Sequence, residues 1–146
     1  MKLEHKKKQN KASFFLEFFL FFIIIKVGDD FLRYYLNKNR LFLFWSVGKF
    51  AFEAQKREFV SYRRMVEFLQ YYFGMSETFS LSNVKTMIKF YVSFPIYTEQ
   101  LEKLDWNYYL KLLEIKNHSE RMYYYRVAIF SECDFDTFNE LLRKKR

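Results

Sequence analysis

The chain is short of the residues that interrupt or cross-link a backbone. It has one proline and three glycines in 146 residues. An all-β protein needs turn residues at every strand reversal, so this scarcity favours helices. Cys133 is the only cysteine, which excludes an intramolecular disulfide, and the isolated His5 and His118 cannot complete a zinc site with it. Glycine-rich phosphate loops, Gly-x-Ser-x-Gly elbows and His-Glu-x-x-His pairs are missing too. The common signatures of nucleotide, serine and zinc chemistry are therefore absent, and no metal or other cofactor is expected.

What is present is apolar and aromatic. Hydrophobic residues make up 51% of the chain and aromatics 23%, enough for one domain with its own core. The net charge of +8 is unevenly placed. Residues 1–11 carry five lysines against one glutamate, and residues 143–146 read Arg-Lys-Lys-Arg. Between them, residues 12–142 hold sixteen basic and sixteen acidic groups, with ten and four in 33–89 but five and nine in 90–142. Basic tails and a basic first half suit a polyanionic partner.

Taken in order, residues 1–11 read as a disordered basic arm and 12–28 as an apolar helix. From Phe14 to Ile25 the only polar residue is Glu17. A bilayer span needs about 20 apolar residues, and no small-x-small cleavage site follows the run, so a cytoplasmic protein is expected. A helix so apolar exposes a strip in a monomer. Pairing of residues 14–25 in a homodimer hides it, with binding to a membrane surface as the competing outcome.

Residues 29–142 read as the domain proper. Asp29 or Asp30 caps a helix running to about Arg57, in which Gly48 marks close packing. A second helix starts near Val60 with Tyr62, Met65, Val66, Leu69, Tyr72 and Phe73 inward, Arg63 and Arg64 outward, and Gly74 as its C-cap. The central stretch Phe79–Pro95 places Val84, Met87, Ile88, Tyr91 and Val92 on one helix face. Ser80 caps it, Phe79 and Val84 staple its entry, and Pro95 stops it. Its other face carries Ser82, Lys85, Thr86, Lys89 and Ser93. Asp105 caps a segment reaching Lys116, and Asn117 with Glu120 opens a helix over Ser119–Glu132 with Met122, Tyr125 and Ile129 inward. A last helix begins at Asp134 or Asp136 and includes Phe138, Leu141 and Leu142. Trp45, Trp106 and Cys133 read as core, the cysteine on an apolar helix. The adjacent tyrosines 71–72 and 123–125 offer rings on which bases could stack, but at helical spacing they read as core and rim. Residues 143–146 form a basic tail.

Three stretches in order resemble one family. They are Asn39-Arg-Leu-Phe-Leu-Phe-Trp-Ser-Val-Gly-Lys49; Phe79-Ser with Asn83, Met87, Phe90-Tyr91 and Phe94-Pro95; and Leu104-x-Trp106 through Leu112-Leu113-x-Ile-Lys116 with Glu120–Tyr124 beyond. Together they are similar to the N-terminal helical domain of the YhcG-type bacterial proteins, over roughly residues 30–142. The resemblance implies a helix-turn-helix-like DNA-binding or interaction module, which in the family precedes a PD-(D/E)xK nuclease domain. Here the chain ends where the nuclease is expected to begin. Leu81 and Ser82 stand where the family tends to carry basic residues. Glu114-Ile-Lys116 has the acid-x-Lys spacing of such nucleases, but it falls at a helix end within a non-catalytic motif.

The sequence thus predicts an all-α, single-domain, non-enzymatic module with a helix-turn-helix-like core. One expectation is DNA binding, with Arg63, Arg64, Lys85, Lys89 and the tails meeting phosphates and Ser80, Ser82 and Asn83 adding hydrogen bonds. The other is a protein-interaction module that docks a nuclease partner in trans or a second copy of itself.

Overall fold

The structure is a computed structural model in which residues 40–57, 61–73 and 77–144 are described. The basic arm, the apolar segment 12–28, the cap at Asp29 or Asp30, Gly74 and the last two residues of the tail lie outside them, as do the side chains of Tyr72 and Phe73. Among the described residues six α-helices follow in order: α1 Arg40–Lys56, α2 Tyr62–Phe73, α3 Leu81–Ser93, α4 Trp106–Leu112, α5 His118–Phe130 and α6 Phe135–Arg143, with a 3-10 turn at Leu101–Lys103. No strand occurs among the described residues. The fold is all-α.

Three of these helices start on the same device. The side-chain oxygens of Ser80, Asn117 and Asp134 accept hydrogen bonds from the backbone N–H groups of Asn83, Glu120 and Thr137, at 3.2, 3.0 and 2.8 Å. Each bond satisfies a donor that the first turn leaves without an intrahelical partner. The bonds from Thr137 hold the Asp134 carboxyl below the usual carboxylate range. Asp105 occupies the N-cap position of α4, but its side chain makes no capping bond. The Phe79–Val84 staple forms as the sequence predicts, both residues being fully buried in one cluster. Leu104 and Tyr109 are likewise buried together at the entry to α4.

Two cores result, and α3 belongs to both. Val84, Met87 and Ile88 pack with Phe44, Val47 and Ala51 of α1 and with Met65, Val66 and Leu69 of α2. Phe90 and Phe94 join Tyr109, Leu112, Tyr125, Ala128 and Phe138 from α4, α5 and α6. Trp106 sits between the two, its ring centroid 4.8 Å from Phe44 and 5.3 Å from Phe90. Serving two cores widens the buried face of α3 and turns it away from the expected one. Val92 is 52% exposed, whereas Phe90 and Ser93 are buried and Tyr91 is half-buried.

Other expectations are corrected by the same packing. The stretch Leu104–Lys116 is not one helix: α4 stops at Leu112. Backbone turns follow, with the Ile115 N–H donating to Leu112 O at 3.1 Å, and Arg121 adds bonds from Nε to Leu112 O at 3.2 Å and from Nη2 to Ile115 O at 2.6 Å. On α5 the buried residues are Tyr124, Tyr125 and Ala128, with Met122 and Ile129 only half-buried. Trp45 and Trp106 are both half-buried, packed against the cores and not fully inside them, and the Trp45 indole N–H reaches the Phe94 carbonyl at 2.7 Å. Cys133 lies in the connection between α5 and α6, half-buried and off any helix, with its carbonyl accepting from the Tyr108 hydroxyl.

Candidate nucleic-acid interface

The face of α3 turned away from both cores is narrow. Leu81, Ser82, Lys85, Lys89 and Val92 line it, all exposed, at the spacing of one helical strip. Two cations near its middle are thus flanked by a hydroxyl and by apolar ends. Neither Lys85 nor Lys89 has a carboxylate within ion-pair distance among the described residues. The Lys85 ammonium instead stands 5.9 Å from the centroid of the Tyr62 ring on α2. That contact, worth about 0.5–1 kcal/mol at an exposed site, sets the start of α2 beside the middle of α3. Tyr62 is in turn tied to α1 through its hydroxyl, which donates to Gln55 Oε1 at 2.5 Å.

Arg63 and Arg64 follow Tyr62 and are exposed, as the sequence predicts. They are not equivalent. The Arg63 guanidinium is 3.2 Å from the Glu67 carboxylate one turn on, whereas the Arg64 side chain has no carboxylate partner among the described residues. An exposed i,i+4 pair is worth only about 0.3–0.5 kcal/mol, so Arg63 remains available to a phosphate.

The polar residues at the start of α3 already have structural work. Ser80 Oγ caps the helix, and Asn83 Nδ2 donates to the Glu77 carbonyl at 2.9 Å. These bonds fix residues 77–80 against the first turn of α3. Ser82 is exposed, and its carbonyl accepts from Thr86 Oγ1 at 3.1 Å. The structure therefore brings Arg63, Arg64 and Lys85 to adjoining helices and continues the strip to Lys89, while Ser80 and Asn83 support it from below. Tyr71, which the sequence reading groups with Tyr72 as core and rim, is 88% exposed on α2. Its signal was available, since it lies one turn beyond Glu67 on the outer face of the helix.

Glu114 and Lys116 lie beyond the end of α4, on the rim of a cleft of about 430 Å³ that Asn117, Tyr124 and Arg143 also line. The Glu114 carboxylate is 3.0 Å from the Lys111 ammonium. Among the described residues no group of three or more His, Cys, Asp or Glu is arranged to hold a metal ion, and no helix is long and apolar enough to cross a membrane.

A family model described as the DUF1016 N-terminal domain matches residues 24–145. This is the N-terminal domain of the YhcG-type proteins that the three motifs resemble. No curated protein and no solved structure matches the chain.

Proposed function

The chain belongs to the DUF1016 N-terminal domain family, and from that premise we propose that it is a non-catalytic module that contacts DNA through the outer strip of α3. The observation that carries this reading is the pair Lys85 and Lys89, exposed one turn apart and without carboxylate partners among the described residues. Arg63 and Arg64 extend the positive surface onto α2. The lysines and arginines at residues 1–11 and 143–146 add charge without sequence information, since they meet only phosphates. Nuclease chemistry in this family is attributed to a C-terminal domain, and Glu114 is committed to Lys111. Mg²⁺-dependent cleavage of a plasmid by the purified chain, lost in Glu114→Ala, would show the non-catalytic reading to be wrong.

Titration of a labelled duplex across a salt series tests the DNA reading. Neutralising Z phosphates gives a log–log slope near −0.9Z, so a steep negative slope is expected. Absence of binding at low salt sinks it. The second reading, docking onto a nuclease partner in trans, draws on Tyr123 and Phe130. These are 61% and 79% exposed and lie two turns apart on α5 with half-buried Val127 between them.

A further inference from the structure

Helix α1 carries apolar side chains on every side. Phe44, Val47, Gly48 and Ala51 face α3, which approaches so closely that a Cβ on Gly48 would collide with the Met87 carbonyl. The remaining sides are apolar through the first three turns. Trp45 and Phe52 flank the contact with α3 and meet Tyr91, Phe42 and Phe50 lie further round, all four half-buried, and Ser46, between Phe42 and Phe50, is only 3% exposed. Rings continue this outer face onto α3 and the segment after it: Trp45 lies 5.4 Å from Tyr91 and 5.5 Å from Tyr97. A helix apolar all round is one that is covered all round. Charged groups interrupt the surface at Lys49 and, one and two turns further on, at Glu53 and Lys56. Lys49 is exposed at its centre, with its ammonium 5.4 Å from the Trp45 ring.

We propose that residues 14–25 of the same chain lie along this outer face of α1, with Glu17 against Lys49. The segment has the matching chemistry, being Phe, Leu and Ile throughout except for Glu17. As a helix it is about 18 Å long, against about 25 Å for α1. Residues 26–39 join it to the start of α1. Fully extended, that connection spans roughly 46–50 Å, enough to bring the segment back along α1 in either direction. A short tether also gives an effective concentration on the order of millimolar, which favours the chain's own segment over that of a second copy. The family match begins at residue 24, so most of this cover precedes the shared domain. The inference does not depend on the DNA reading.

Cross-linking of the full chain tests it. In a Cys133→Ser background, Glu17→Cys with Lys49→Cys should be bridged within one chain by a short bismaleimide. Glu17→Cys with Arg126→Cys, an exposed position on α5, should be bridged at least tenfold more slowly. Bridging at Lys49→Cys that is no faster than at Arg126→Cys, or that joins only two chains, overturns the proposal. A second measurement needs no cysteine: Glu17→Lys should shift tryptophan emission to the red, and adding Lys49→Glu should restore it. An unchanged spectrum in Glu17→Lys also overturns the proposal. Pelleting of the native chain with anionic phospholipid vesicles, alongside failed bridging, would assign the segment to a membrane surface.

Discussion

Gly48 of α1 touches the backbone of Met87 on α3. A Cβ at position 48 would stand 2.6 Å from the Met87 carbonyl carbon and 3.2 Å from the Ile88 nitrogen. Both are backbone atoms held by their own helix, so neither can swing away as a flexible side chain would. Alanine gains about 1 kcal/mol over glycine in a helix interior, but here it forces the two helices apart and opens the Val47–Val84 layer. Gly48→Ala is expected to destabilise the protein by about 1–3 kcal/mol net, read as a lower urea midpoint at unchanged m-value. A midpoint equal to or above that of the parent would show that the helices can separate at no cost.

Arg121 joins the end of α3 to the end of α4. Besides the carbonyls of Leu112 and Ile115, its Nη1 donates to the buried Ser93 hydroxyl at 2.9 Å. Hydrogen bonds from a charged donor are worth about 1.5–3 kcal/mol each, and their loss removes the side-chain donor from the Ile115 carbonyl and the Ser93 hydroxyl, while Leu112 O keeps the Ile115 N–H. Arg121→Ala should cost about 3 kcal/mol or more. Arg121→Lys should recover only part of that, because one ammonium cannot span the hydroxyl and both carbonyls. Equal stability of the lysine variant and the parent would remove the fork geometry from this account.

Tyr109 is fully buried, and its hydroxyl donates to the Leu101 carbonyl at 2.7 Å. Burial pushes its pKa far above the ordinary 10.0, and the neighbouring Tyr125 phenol adds to the effect. Its neutral form therefore stabilises the fold fully below pH 10, and that contribution is lost as pH rises beyond it, by up to about 1.4 kcal/mol per pH unit. Melting temperatures should fall steeply between about pH 10 and 11.5. Tyr109→Phe should flatten most of that fall, leaving smaller shares from Tyr108 and Tyr125, whose phenols are also raised by burial. It should cost about 1 kcal/mol at neutral pH for the lost bond. An unchanged alkaline slope in Tyr109→Phe would place the titrating group elsewhere.

Local signals in the sequence were read well where one residue type has one physical use. Ser80, Asn117 and Asp134 cap helices, Pro95 follows the end of α3, and Gly48 marks a close approach, all as their chemistry requires. Periodicity served less well for α3, because one pattern of apolar residues had to be divided between two cores. Phe90 and Ser93 are buried for the second core, and Val92 falls off the edge of both. The length of α4 was not legible either, since Arg121, which bonds the Leu112 and Ile115 carbonyls, arrives from the next helix. For the candidate interface, the outward arginines and lysines followed from spacing. The bond from the Asn83 side chain to the Glu77 carbonyl depends on where residue 77 lies, which the residue pattern does not specify.

The strip on α3 is open to a direct test. Lys85 and Lys89 are exposed, and replacing them gives up the stacking of the Lys85 ammonium over the Tyr62 ring. Lys85→Glu with Lys89→Glu should therefore change stability by no more than about 1 kcal/mol. Each reversal replaces a phosphate-binding charge with a repelling one. Duplex binding should weaken at least tenfold at moderate salt, and the salt slope should flatten by about two phosphates. Neutral Lys85→Gln with Lys89→Gln should fall between parent and reversal, which separates lost attraction from added repulsion. Removal of charge from the tails, by changing Lys6, Lys7 and Lys8 to Gln, should weaken all duplexes alike and leave any sequence preference intact. If the double reversal binds DNA as the parent does at equal thermal stability, α3 is not the contact surface. The exposed rings of α5 would then become the surface to probe, with a protein partner in place of a nucleic acid.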